Sequence, residues 1–208
     1  MLIYEWRKVM KNKGKIIFFN KEDGIMCEVL KNMRNKSAID LLKENGISLT
    51  PPINISLLLQ RLGIKEVAAD FSDIEKILQY DSGEILGITF AQEKQVGIFY
   101  RSSDSINRRR FTMAHEIAHC CLHTDTLTDK HIELRSSKTQ NDPREYNANV
   151  FAGELLIPES SLKMIYEQLL VPSLSGLSEI FQVSTNVMAK RLDYLKMPYM
   201  KDEEISEN

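Results

Sequence analysis

The segment Ala114-His115-Glu116-Ile117-Ala118-His119 sets two imidazoles and a carboxylate within five residues of one another. Histidines four residues apart on an α-helix stand one turn apart along it and about 40° apart around it, so their ring nitrogens can converge on one tetrahedral metal ion. Glu116, about 100° further round, is then in position to take a proton from a water at that metal. The chemistry this trio supports is zinc-dependent hydrolysis, with His115 and His119 as ligands and Glu116 as general base. Such a short pattern also arises by chance on surface helices, so its surroundings decide the matter.

On a wheel of 100° per residue, Thr112, His115, Glu116, His119 and His123 share one arc of about 100°. The opposite side, from Phe111 and Met113 to Cys120, Cys121 and Leu122, is apolar. That pattern predicts a helix buried in the core with its polar stripe turned to a cleft. Two imidazoles and a carboxylate half buried without partners would cost several kcal/mol, which a metal would offset. All four histidines of the chain, His115, His119, His123 and His131, also fall within one short stretch.

Catalytic zinc usually takes three protein ligands and keeps a fourth position open. His123 is a poor third, since eight residues from His115 is about 12 Å of helix axis, too far for one tetrahedral ion. Glu145 is a better candidate. Asp142-Pro143 opens a helix through REYNANVFAGELL to Pro158, and Glu145 lies on the stripe shared with Ala148, Phe151, Ala152, Leu155 and Leu156, aimed inward. It could instead close a capping box as the N3 residue after Asp142, and Arg144 on the same stripe is consistent with a first turn that overhangs the core. Asp125, Glu133, Asp142 and His131 remain as other possible ligands.

The elements that must hold these residues can be sketched from caps and periodicity. Ser37 and Asp40 suit a capping box ahead of the helix AIDLLKEN, which stops at Gly46. After Pro51-Pro52 a second helix, ISLLLQRL, runs from Asn54 to Gly63, and KEVAA reads as a strand. ILGITFAQEKQVGIFYR, between Ile85 and Arg101, reads as an antiparallel hairpin leading into the motif helix. Its second strand, Val96 to Arg101, could pair with an extended substrate. Residues 124 to 141 read as a long polar connection. Short helical patterns and an acidic tail, KDEEISEN, expected to be disordered, close the chain.

A chain of 208 residues can bury a proper core without disulfides, which leaves any metal free for catalysis. Apolar content of 43%, charged content of 27% and a net charge of −2 describe an ordinary globular protein, so composition makes no case for nucleic acid. Three cysteines, two of them adjacent, are no secreted disulfide framework. With no signal-like or membrane-length apolar run, the expected location is the cytoplasm. Residues 1 to 36 carry nine Lys/Arg against four Asp/Glu. This basic arm reads as a solvated extension with a short strand at KIIFF.

The motif helix, preceded by Arg109-Arg110-Phe111-Thr112, and the later Glu145-x-x-Ala148-Asn149-x-Phe151-Ala152-x-Glu154-Leu155-Leu156-x-Pro158 together resemble the ImmA/IrrE family of metallopeptidases. The resemblance covers roughly Ser37 to Leu195. It implies a cytoplasmic zinc endopeptidase that cleaves a helix-turn-helix repressor and so derepresses phage, mobile-element or stress genes. It also implies that His115, His119 and Glu145 bind zinc and that Glu116 is the base. Cys120 and Cys121 stand where the family usually has aliphatic residues, and the basic arm is extra. The expected fold is α+β: a zincin-like core with a small antiparallel sheet beside the HExxH helix, and a C-terminal helix-turn-helix-like segment. The expected divisions are a basic extension 1–36, a peptidase domain 37–160, the helical segment 161–197 and an acidic tail 198–208.

Two other functions compete. LSEIF-QVS-TNVMAKRLDYL has the rhythm of a helix-turn-helix, but its second helix offers Lys190, Arg191 and Lys196 beside Asp193, a weak footprint for DNA, and docking on the peptidase or its repressor is the alternative. A zinc-binding regulator or toxin–antitoxin component without proteolysis would have no need of glutamate at position 116. A peptidase also wants a second oxyanion donor, for which Tyr146, His123, His131 and Tyr100 are candidates.

Overall fold

The computed structural model describes residues 28–92, 95–123, 130–136 and 142–200, the stretch 130–136 by its backbone. The KIIFF strand and the acidic tail lie outside them. Helices α1 (Glu28–Met33), α2 (Ala38–Glu44) and α3 (Ile55–Leu62) lead into β1 (Ile64–Ala69), and α4 (Ser72–Leu78) into the hairpin β2 (Ile85–Gln92) and β3 (Gln95–Arg101). The motif helix α5 (Ile106–Leu122), β4 (Lys130–Ser136), α6 (Pro143–Leu156), α7 (Glu159–Tyr166), α8 (Leu174–Phe181) and α9 (Thr185–Leu195) complete the order.

Local chemistry fixes most of these ends. The Ser37 hydroxyl accepts from the Asp40 N–H and donates to its carboxylate, and Asn54 caps α3 by accepting from the Leu57 N–H. Gly63 ends α3 with φ of 72°, a left-handed conformation that glycine adopts without strain. Asp142 caps α6 with Pro143 in its first turn.

The four strands form one sheet in the order β1-β3-β2-β4. The hairpin is antiparallel as expected, with Phe90 opposite Gly97, and β4 adds to the other side of β2, with Thr89 opposite Glu133. β1 instead runs parallel to β3, so the expected antiparallel sheet is mixed. Alternation along β2 sends Ile88 and Phe90 to a small core with Phe71, Ile74 and Phe99. Ala91 of β2, with Val96 and Ile98 of β3, belongs to the main core between the sheet and the helices.

Two expectations about organisation are corrected by this packing. The connection from 124 to 141 contains β4, because β2 supplies the pairing that its mixed polar sequence does not advertise. The packed chain starts before Ser37: Leu30 and Met33 of α1 are fully buried, and the Asn35 N–H donates to the Cys121 carbonyl at the end of α5. Residues after 160 pack onto the rest, since Leu162, Leu177, Phe181, Met188 and Leu192 fill the same core as α5 and α6.

Candidate metal centre

Helix α5 begins where Ser105 caps it and is buried along most of its length, because apolar residues fill one side and the small residues of β2 let its polar side approach the sheet. His115 and Glu116 are fully buried and His119 is 1% exposed, so the stripe predicted to line a cleft is more enclosed than that. α6 packs against α5 and brings Glu145 to the two histidines. His115 Nε2 lies 2.9 Å from His119 Nε2 and 3.1 Å from Glu145 Oε2, and His119 Nε2 lies 3.3 Å from Glu145 Oε1. Among the described residues this is the cluster of metal-ligating side chains that converges within 4.8 Å.

The donor set fits a metal ion on two counts. Ligand atoms about 2.0–2.1 Å from a tetrahedral ion stand roughly 3.3 Å from one another, close to the observed separations. The second count is the tautomer: His115 Nδ1–H donates to Asn149 Oδ1 at 3.0 Å, which leaves the Nε2 lone pair facing a second imidazole nitrogen and a carboxylate. Lone pairs gathered so closely need a cation among them. When the imidazoles carry protons in place of an ion, burial pushes the Glu145 carboxyl up, but the hydrogen bonds and charge of His115 and His119 outweigh it and hold the group well below the usual carboxylate range.

The remaining candidates separate clearly. His123 ends α5, and its Nε2–H donates to the Arg144 carbonyl at 3.2 Å, next to Glu145 but outside the cluster. Asp142 uses its carboxylate to cap α6, accepting from the Arg144 N–H at 2.8 Å, while both oxygens of Glu145 lie against the histidines. Asp125 and the side chains of His131 and Glu133 lie outside the described residues. Tyr146 is 61% exposed beside Glu145, while Tyr100 packs under the Arg109 guanidinium.

Sequence reasoning gave no role to Asn149, Thr89 or Gly87. Asn149 fixes the ring of His115, and Thr89 donates to Glu116 Oε2 at 2.5 Å. Gly87 lies so close to Glu116 that a side chain there would meet it. A signal existed in GITFA, where alternate small residues mark a strand face that something approaches closely.

Buried arginines tie the C-terminal helices to both helices of the centre. Arg110 Nε, on α5, donates to the Gln182 carbonyl at 3.1 Å, and Asn107 Nδ2 to that of Val183 at 3.1 Å. From α9, Arg191 Nε donates to Ile157 O at 3.1 Å, where α6 ends. Both guanidiniums thus sit at helix C-termini, which favour positive charge. Arg191 is therefore withdrawn from the exposed face of α9, which keeps Lys190, Lys196 and the acidic Asp193.

No helix among the described residues is long and apolar enough to cross a membrane. Comparison with known proteins then fixes the family. The model of the peptidase M78 family, the IrrE N-terminal-like domain, matches residues 59–193. Metallopeptidase ImmA of Bacillus subtilis (strain 168) is 30% identical over 112 residues, covering 53% of this chain and 62% of that protein, so the match spans less than two thirds of the relative's length. No solved structure matches. With a family match that takes in β2, both helices of the centre and the C-terminal pair, the chain belongs to the ImmA/IrrE family of metallopeptidases.

Proposed function

We propose that this protein is a cytoplasmic zinc endopeptidase whose substrate is a helix-turn-helix repressor, cut to derepress phage, mobile-element or stress genes. The observation that carries the reading is the convergence of His115, His119 and Glu145 beside a fully buried Glu116. The three converging side chains would hold the ion, and Asn149 would keep His115 in the tautomer that presents Nε2. Zinc, when bound, supplies Lewis-acid polarisation of a carbonyl and brings the pKa of a water down toward about 7.

Glu116 takes the proton as the water oxygen bonds to the scissile carbonyl carbon, and delivers it to the amide nitrogen as the C–N bond breaks. An extended substrate needs a free strand edge. β3 is paired on both sides, by β1 and β2, so the strand first considered for this purpose is closed to it. The outer edge of β4 has no partner among the described residues and is the better dock for a peptide backbone.

The test is incubation of the zinc-loaded protein and its Glu116→Gln variant with helix-turn-helix repressors encoded beside it. The expected result is one defined cut by the wild type and none by the variant, with zinc content equal in both. Full-rate cleavage by Glu116→Gln overturns the assignment. Binding to DNA that weakens steeply with added salt would instead favour a DNA-binding regulator.

A further inference from the structure

Glu116 is fully buried, and a carboxylate in that setting has a position only if its neighbours give it one. Those neighbours lie on β2. Residues 87, 89 and 91 alternate onto the face of β2 that meets α5, and β2 is an inner strand, held by β3 and β4 on its two sides. Two independent contacts reach the carboxylate from this face. The Thr89 hydroxyl, also fully buried, donates to Oε2 at 2.5 Å. At Gly87 an added Cβ would stand 2.7 Å from Oε1, 3.3 Å from Cδ and 2.7 Å from Thr112 Cγ2. One residue tethers the carboxylate, and the other is small enough to leave it room.

We propose that Thr89 and Gly87 are positioning residues for Glu116, with β2 serving as the rigid rail that holds the base beside the metal centre. The inference rests on the reading of Glu116 as the base. It separates two tasks within the site: α5 and α6 hold the ion, and the sheet aims the proton acceptor. Loss of the tether leaves Oε2 without that donor while the packing shape is kept, as in Thr89→Val. A methyl group at position 87 meets both the Glu116 carboxylate and Thr112 Cγ2, and of these only the carboxylate ends a long side chain that can turn aside. Either change turns the carboxylate off the strand, and a displacement of about 1 Å in a reacting group can cost on the order of a hundredfold in rate.

The experiment compares zinc-loaded crystal structures, zinc affinity by chelator competition, and kcat and KM on fluorescently labelled casein for the full-length wild type, Thr89→Val, Thr89→Ser and Gly87→Ala. The expected result is a Glu116 carboxylate on β2 in the wild type and in Thr89→Ser, and displaced from it in Thr89→Val and Gly87→Ala. kcat falls on the order of a hundredfold in the two displaced variants with KM little changed, and Thr89→Ser, which keeps the donor, recovers most of the loss. Zinc affinity stays within about twofold throughout, because no ligand atom is altered, whereas a merely structural role would lower affinity and rate together. A carboxylate that stays in place in Thr89→Val, or a serine that recovers nothing, overturns the proposal. Should Thr89→Val fail to fold, Gly87→Ala and Thr89→Ser decide it from opposite sides. If the wild type cuts neither casein nor any repressor, the peptidase reading falls, while the crystallographic comparison still decides whether β2 positions Glu116.

Discussion

Two inward-turned carboxylates, the buried Glu75 and the half-buried Glu145, sit on opposite sides of the molecule's chemistry. Glu75, on α4, is 2% exposed, and its Oε1 accepts from the Gly83 N–H at 3.1 Å, the Ile85 N–H at 3.0 Å and the Arg101 guanidinium. Each of those partners brings a proton to the oxygen. Glu145 meets two imidazole nitrogens, one of which has been turned lone pair first by Asn149. Burial of an acid therefore does not by itself mark a functional site. What marks it is the character of the partners: donors around a carboxylate complete a structural joint, whereas acceptors around it leave room for a cation.

The two sites should fail in opposite ways. Zinc binding of about 10–16 kcal/mol, spread over three protein ligands, puts roughly 3–5 kcal/mol on each, so Glu145→Ala should lower zinc affinity on the order of a thousandfold. Urea unfolding of its metal-free form should stay close to wild type. Glu75→Ala strands the Arg101 charge and two N–H groups, and should cost about 3–5 kcal/mol in the same unfolding measurement while the folded fraction keeps its zinc affinity. If Glu145→Ala unfolds the metal-free protein as badly as Glu75→Ala does, the contrast is broken and the histidine cluster is a structural joint as well.

Smaller effects sharpen the contrast. Asn149→Ala removes the partner that sets the His115 tautomer, and chelator competition should show zinc affinity down by about tenfold to a hundredfold. At the far end of α5, burial pushes the Cys121 thiol from 9.0 to about 12, against a weaker opposing pull from Lys36. The fold holds the neutral thiol, so this contribution is complete below about pH 9 and is lost as pH rises toward about 12. Alkaline unfolding of Cys121→Ala should accordingly fall less steeply than that of the wild type over this window. An equal slope would remove Cys121 as a cause.

Much of the site was legible because its signals are local. Histidines at a spacing of four, an apolar back to the helix, and Asp142-Pro143 opening the partner helix all act within one or two turns. The caps at Ser37, Asn54 and Gly63 were readable for the same reason. What escaped depends on distant partners. KHIELRS becomes β4 only because β2 pairs with it, and β1 lies parallel to β3 through contacts some 32 residues apart in register. α4 has no side-chain cap hydrogen bond to announce it, and α1 hides Leu30 and Met33 within a charged arm. Thr89 and Gly87 were invisible as partners of Glu116 for the plainest reason: nothing in a strand's own sequence says which carboxylate will lie against it.

The fastenings of the two ligand helices also set the order in which the molecule can be assembled. Asn35, from before α2, grips the end of α5, and the carbonyls of Gln182 and Val183 receive its first turns. Arg191 secures the end of α6, and Ser161 of α7 donates to Leu49 O at 2.6 Å across more than half the chain. Such closures come late, because each must first overcome the entropy of a long loop. A nascent chain that has reached residue 160 holds both histidines, Glu145 and the Asn35 contact but lacks the fastenings made by Ser161, Gln182, Val183 and Arg191. With the ligand set proposed above, metal capture would wait for synthesis of α7 to α9, and a product cut before them would carry the three side chains without the contacts that hold their helices.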